Sequence, residues 1–454
     1  MTDFINYPAV KVSLNDEDLT PVPPEYLTDF VFEDNESGFF SFELGLHDPN
    51  YTDIENIFFS ARRQSEVQME FGYYNIPNQP VATTGLLRCY VSHYLPTFEA
   101  GMDIRITGYS AGAGKNIQYN EPIEFPKDTT ISEAVIIIAK KIFGDGVDLR
   151  RVEETKEDIF VPSQTTEPKK PFDFIQSELV KLAKNKDGIG DYYFKDGRDG
   201  GGIRFSSPLF ERDQVEIPTF SWLGGPGQSD VLSFTPSFNG ATLGAWGAEG
   251  IKFRGWDATR KKWMTIPVNP TSMAREGKLN QFLARGGAIV PMPRSETQRR
   301  IGGAGTRFRD ELVNLIADEF DRAVFGDAKI NDTADEESLD TSITLPIEAN
   351  NEETIRAIAE NRWARLMNTI TEAEITLNGS PSTIGIRAYD IIRVIVQFPN
   401  GQIHWSSGLW FVKQARHEIV TGTGYTVTCQ LRRNSNALGA NVVPEGVRFF
   451  EDTE

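Results

Sequence analysis

A chain of 454 residues is too long for one hydrophobic core, and about three domains are expected. Its 39% hydrophobic and 24% charged content is that of a folded soluble protein, and its longest apolar run of note, residues 134–139, is far too short to cross a membrane, so stable membrane insertion is not expected. A formal net charge of −19 argues against specific nucleic-acid binding, though not against a surface past which DNA slides.

The N-terminus has neither the basic start nor the apolar centre of a signal peptide, so synthesis and retention in a cytoplasm are expected. Residues 1–112 read as β. Val10, Val12 and Leu14 alternate, and residues 26–33 form an apolar-rich run ending in a turn cluster at 34–38. Phe40, Phe42, Leu44 and Leu46 alternate next, then Val67, Met69, Phe71 and Tyr73. Many short strands with few helix signals predict a small antiparallel barrel or sandwich.

Residues 113–228 read as an α+β domain. Thr130-Ile-Ser-Glu133 is a capping box that opens a helix over 131–143, stopped by Gly144. Phe172, Ile175, Leu179 and Leu182 fall at helical spacing behind Pro171. Residues 192–194 and 203–205 flank a glycine-rich hairpin turn at 196–202, and a loose stretch at 222–230 closes the domain.

Strand pattern returns over 231–263 with Leu232, Phe234, Ile251 and Phe253, and again at 375–377, 391–398, 409–414 and 425–431. Between lie a basic cluster (Arg294, Arg299, Arg300, Arg307, Arg309) and an acidic run over 327–353. One amphipathic helix there carries Phe308, Leu312, Leu315, Ile316, Phe320 and Val324; a second carries Ile355, Ala359, Trp363, Leu366, Met367 and Ile370. Residues 229–264 and 371–436 therefore read as a second barrel, 265–370 as its helical insertion and 437–454 as a tail.

One element recurs 323 residues on. Gly85-Leu86, His93 and Gly101 with alternating Met102, Ile104 and Ile106 match Gly408-Leu409, His417 and Gly424 with Tyr425, Val427 and Cys429; the glycines of each pair are 16 apart. His93 and His417 hold similar places and read as strand-surface histidines, since neither has a second ligand nearby in sequence. Cys89 and Cys429 read as buried free thiols. Four histidines and two cysteines, widely scattered, give no metal-cluster spacing.

Residues 108–116 invite a phosphate-loop reading, but Tyr109 stands where a glycine is required and Asn116 where a Ser or Thr would hold magnesium; the stretch reads as a flexible interdomain loop. The turn at 196–202 lacks the closing Glu of a calcium loop. Glu336-Glu337 and Glu352-Glu353 read as a solvated face, and the basic cluster as a partner for the acidic run or for another subunit. No nucleophile elbow, Ser-His-Asp order or HExxH motif occurs. No catalytic, cofactor or metal site is expected.

Three stretches together resemble a known family. They are Val10-Lys-Val-Ser-Leu14 with residues 27–38 and 40–48; residues 125–135; and Gly379-Ser-Pro, Gly385, residues 407–419, Gly424-Tyr425 and Leu431-Arg-Arg-Asn434. They are similar to the central baseplate hub proteins of contractile phage tails, the late control protein D family, over most of 1–260 and 371–436. The resemblance implies a mainly β, α+β fold: two tail-tube-like antiparallel β-barrels joined by an α+β domain, with a long helical insertion in the second barrel. It implies a homotrimer whose six barrels match a sixfold tail tube on one side and a threefold central spike on the other, in the virion's tail baseplate. Implied partners are the central spike protein, the tail tube or tube-initiator protein, the tape-measure protein and neighbouring baseplate proteins, with DNA passing through the channel. No catalytic residues come with it. The insertion has no family pattern and is expected to dock a neighbouring baseplate protein. The rival readings are a β-rich cell-wall hydrolase or peptidase of the tail tip, using an acidic pair, and an adhesin-like binding module.

Overall fold

A computed structural model describes residues 7–14, 20–22, 26–36, 38–48, 66–75, 80–98, 101–186, 188, 190–207, 217–223, 229–238, 251–257, 259–268, 342–349, 352–369, 371–401, 403–404 and 406–433. The basic cluster, the helix expected over 308–324, most of the acidic run and the tail lie outside them.

The N-terminal β unit comprises β1 (Tyr7–Leu14), β2 (Thr20–Pro21), β3 (Leu27–Asn35), β4 (Ser41–Asp48), β5 (Glu66–Tyr74), β6 (Pro80–Thr83), β7 (Leu87–Phe98) and β8 (Met102–Ser110). Period-two burial makes these strands: in β8, Met102, Ile104 and Ile106 point inward while Asp103 and Arg105 face out. Ser110 then caps α1 (Ala111–Gln118), its hydroxyl accepting the Ala113 N–H. The stretch expected to be a flexible interdomain loop is thus the end of β8 and a helix. Its glycines serve close packing: a Cβ at Gly114 would lie 2.1 Å from the Tyr90 ring.

The α+β part follows. α2 (Ile131–Phe143) has the predicted capping box, with Thr130 and Glu133 satisfying each other's backbone N–H groups, and Gly144 at its C-cap. α3 runs from Pro171–Phe174 through a π-helical turn at Ile175–Leu179 to Val180–Leu182. β9 (Tyr193–Asp196) and β10 (Ile203–Ser206) form the predicted hairpin. Its tip docks on the first unit, with Asp199 O accepting from Arg88 N and Gly200 O from Gly112 N.

The C-terminal β unit comprises β11 (Thr219–Leu223), β12 (Val231–Phe238), β16 (Thr371–Asn378), β17 (Ile391–Gln397), β18 (Gly408–Val420) and β19 (Gly424–Arg433). Between β12 and β16 the chain forms a separate sheet of β13 (Ile251–Asp257), β14 (Lys262–Val268) and β15 (Ser342–Ala349), then α4 (Glu352–Met367). Ile251–Asp257, expected beside β12 in the second barrel, pairs instead with β14 and β15. Ile355, Ala359 and Trp363 are fully buried, as the helical spacing predicted, but in one core with α2 and α3. Asn361 fixes that packing by donating to the carbonyls of Lys181 and Ala183, the acceptors left over at the end of α3. Glu352, expected on a solvated face, pairs with Arg260 at 2.9 Å.

The two β units are counterparts strand for strand. Their hydrogen-bonded orders are β1-β5-β7-β8-β4-β3 and β11-β17-β18-β19-β16-β12, so the repeat legible as one hairpin covers six strands. Every neighbour relation matches except the outermost, where β1 is antiparallel to β5 and β11 parallel to β17. Antiparallel pairing of β3 with β18, from Asn35↔Gln414 to Asp29↔Val420, joins the units into one sheet. They also share one core, where Phe30, Phe32, Phe71, Trp410 and Val427 are all fully buried. Each such aromatic contributes roughly 2–3 kcal/mol relative to exposure. The mainly β, α+β class read from the sequence is the class observed. The units open into each other, and no closed barrel forms among the described residues.

Candidate assembly surface

Two buried charge clusters lock the parts together. Asp34, at the end of β3 and wholly buried, accepts from Lys195 of β9 and from Arg387 Nε at 2.7 Å, with the Ala388 N–H at 3.2 Å. The Arg387 guanidinium also lies 4.5 Å from the Phe32 ring centroid. Burial alone would raise the Asp34 pKa, but attraction to Lys195 and Arg387 outweighs it and holds the carboxyl well below the usual carboxylate range. In the second cluster Asp191 accepts from Tyr193 Oη (2.8 Å), Asn368 Nδ2 (2.6 Å) and Arg432 (3.2 Å), while Arg432 also faces Glu36 at 3.4 Å. Each cluster draws on both β units and on the α+β part, so the relative placement of the three is fixed by specific charge pairing as well as by packing.

With these joints set, the continuous sheet presents a polar face. Arg105 sits between Asp29 and Glu43, donating to Asp29 Oδ1 at 3.0 Å and to Glu43. Across the junction Arg416 lies opposite Glu33 and Glu418 opposite Val31. Asp29, Glu33, Glu43, Asp103, Glu374 and Glu418 outnumber Arg105 and Arg416, so the face is acidic on balance.

Among the described residues the sheet has edges at β2, β6 and β11. Two more are β12, where the described path stops, and β7, which pairs with β5 only over Leu87–Tyr90, so that beyond Val91 its described ladder is with β8 alone. Four of the ten large hydrophobics exposed among the described residues lie on β7 and β12: Leu95 (56%), Phe98 (66%), Leu232 (55%) and Phe238 (36%). Pro96 and Pro236 each remove one N–H from their strand, so a strand added at either edge finds one donor fewer at that position.

The residues singled out from sequence fall into place differently. Cys89 and Cys429 are buried and free, and burial pushes both thiols up. Among the described residues no group of His, Cys, Asp and Glu has metal-binding geometry. The two histidines are not equivalent. His93 follows a bulge in β7 and is exposed, with Nδ1 3.1 Å from Ser92 Oγ. His417 is fully buried, contrary to the surface reading, because it lies an odd number of residues beyond the residue that follows the bulge in β18 and so points to the opposite face. Its Nε2 lies 2.7 Å from the Ile386 carbonyl, which can only accept, so Nε2 carries the proton; Nδ1 then accepts from Tyr425 Oη at 2.6 Å.

Burial pushes His417 down to about 4 from the ordinary 6.5. Between those values the unfolded chain binds a proton that the folded chain refuses. The contribution is therefore whole above about pH 6.5 and is lost as pH falls toward 4, by up to about 3 kcal/mol. Asp196, pushed up to about 6 by burial, acts in the opposite direction over the same range, so wild type alone does not isolate the effect. The expected result is that the stability gap between wild type and His417→Gln narrows as pH drops from 6.5 to 4, read by urea denaturation at several pH values.

No protein-family profile matches the sequence, and no curated protein does. Solved structures do match. A tail protein from Neisseria meningitidis MC58 aligns with a TM-score of 0.54 at 8% identity, covering 94% of this chain and 97% of that one. The 43 kDa tail protein of prophage MuSo2 from Shewanella oneidensis aligns at 0.49 and 10% identity, covering 94% and 99%. A type VI secretion component of E. coli, described as structurally similar to T4 tail proteins gp27 and gp5, aligns at 0.43 and 7% identity, covering 94% and 77%. The match to the Neisseria protein shows a shared fold, that of a tail protein, in line with the resemblance read from the sequence.

Proposed function

We propose that this chain is the structural hub of a phage tail baseplate, a homotrimer that adapts a sixfold tail tube to a threefold central spike. The observation that carries this reading is the six-strand unit repeated within one sheet: three chains with two like units each present six. In the proposed ring the acidic polar face lines the channel, where it repels the phosphate backbone and lets DNA and the tape-measure protein pass without sticking. In this reading the hub works by binding geometry and symmetry matching rather than by catalysis. Its place is the virion tail, with the spike, the tube or tube initiator and neighbouring baseplate proteins as partners. Purified protein should have a native mass three times the 50.8 kDa chain, alone or on adding its spike, and should be recovered in tail particles. A strict monomer absent from tails contradicts the reading.

The insertion is the proposed dock for a neighbouring baseplate protein. Because β15 pairs with β13, a clean test removes only residues 270–340. Trimers should persist in that deletion while baseplate assembly stops; normal assembly would refute the docking role.

A further inference from the structure

The two units agree down to their irregularities. β3 slips one residue against β4 at Thr28, between the pairs Leu27↔Leu46 and Asp29↔Gly45. β12 slips in the same way against β16 at Leu232, between Val231↔Leu377 and Ser233↔Thr376. Laying one bulge on the other places Phe30 on Phe234, Val31 on Thr235, Phe32 on Pro236 and Glu33 on Ser237. The hairpins match likewise, the extra residue being Ser92 in β7 and Lys413 in β18. Leu95, Pro96, Thr97 and Phe98 then fall on Arg416, His417, Glu418 and Ile419.

Within the chain those four β18 residues pair with Glu33, Phe32, Val31 and Phe30. The corresponding pairs for the ladder-ending edges are Leu95↔Ser237, Pro96↔Pro236, Thr97↔Thr235 and Phe98↔Phe234. One chain does not make them: six strands stand between β12 and β7, roughly 34 Å along the sheet at about 4.8 Å per strand. We propose that β12 of one copy adds antiparallel to β7 of the next copy in this register, so that the junction between chains repeats the β3–β18 junction within a chain. The proposal rests on the hub reading above and deepens it by naming the partner, a second copy of this chain, and the residues that meet.

A check on faces supports the register. Phe234 and Pro236 lie opposite Ile375 and Ala373 on the apolar side, and Pro96 and Phe98 lie opposite Ile104 and Met102 on theirs. Thr235 and Ser237 lie opposite Glu374 and Glu372, and Leu95 and Thr97 opposite Arg105 and Asp103, on the polar side. All four pairs therefore join apolar side to apolar side and polar side to polar side. A slip of one residue would set apolar side against polar side at every pair. Each copy uses two different edges, a head-to-tail contact of the kind that forms a ring when its rotation closes.

The test is a cysteine pair across the junction. Leu95→Cys with Ser237→Cys, mildly oxidised, should give covalent dimers and trimers on a non-reducing gel. The pair Leu95→Cys with Thr235→Cys sits one step along the face, about 7–8 Å apart, beyond disulfide reach, and should give roughly tenfold less. Buried Cys89 and Cys429 stay silent, as each single variant will show. Particles of trimer mass without preference for the in-register pair overturn this junction and leave the hub reading standing. A monomeric mass for wild type and every variant overturns both.

Discussion

Replacing Asp34 by alanine is expected to lower the stability of the chain by about 3–5 kcal/mol. The carboxylate is fully buried and serves Lys195, Arg387 and the Ala388 N–H together. Without it, two buried cations lose the carboxylate they share, and Asp196, the other carboxylate acting on Lys195, is itself disfavoured from ionising by burial. A surface pair sets the contrast: Lys186 and Glu154 are each about 70% exposed, and Lys186→Ala should leave stability close to that of wild type. Because the Asp34 pKa is depressed in the folded chain, its contribution is present above the ordinary carboxylate range and is lost as pH falls through its own lower value. The triple variant Asp34→Leu, Lys195→Met, Arg387→Met removes all three charges and should regain much of the loss. Equilibrium denaturation of the three proteins decides the matter, and an Asp34→Ala variant as stable as wild type would show that the cluster does not hold the parts together.

The second large effect concerns assembly. Phe98→Asp should leave the monomer folded, since the side chain is mostly exposed and stability is expected to move by less than about 0.5 kcal/mol. In the proposed ring the same residue is an aromatic anchor against Phe234 of the next copy. Its loss, with a carboxylate buried in its place, should weaken each junction by more than about 2 kcal/mol, at least 30-fold. Sedimentation should then show monomers at concentrations where wild type is trimeric, with an unchanged circular dichroism spectrum. An undiminished trimer would remove β7 from the junction.

What the sequence made legible was local. Thr130, Glu133 and Gly144 write the limits of α2 in cap chemistry, and the alternation after Gly101 and Gly424 writes β8 and β19 in period two. What stayed hidden depends on distant partners. Nothing near Asp34 announces Lys195 or Arg387, and no local pattern announces that β3 pairs with β18. The glycines before Asn116 read as a loop because their use is steric, against Tyr90 and Phe143. His417 was misplaced because matching glycines aligned the repeats without the bulges, and parity of the count from a bulge decides which face a side chain takes. Leu95 and Phe98 of β7 are exposed although no local pattern marks them as outward-facing; only the sheet order shows it.

The central claim is that two like units per chain let three chains imitate six. Electron-microscope images of the purified particle, averaged without imposed symmetry, test it most directly. The account predicts a ring with threefold symmetry, six similar lobes and an open channel at its centre. A compact single-chain particle, or a ring whose lobes do not number two per chain, would contradict it.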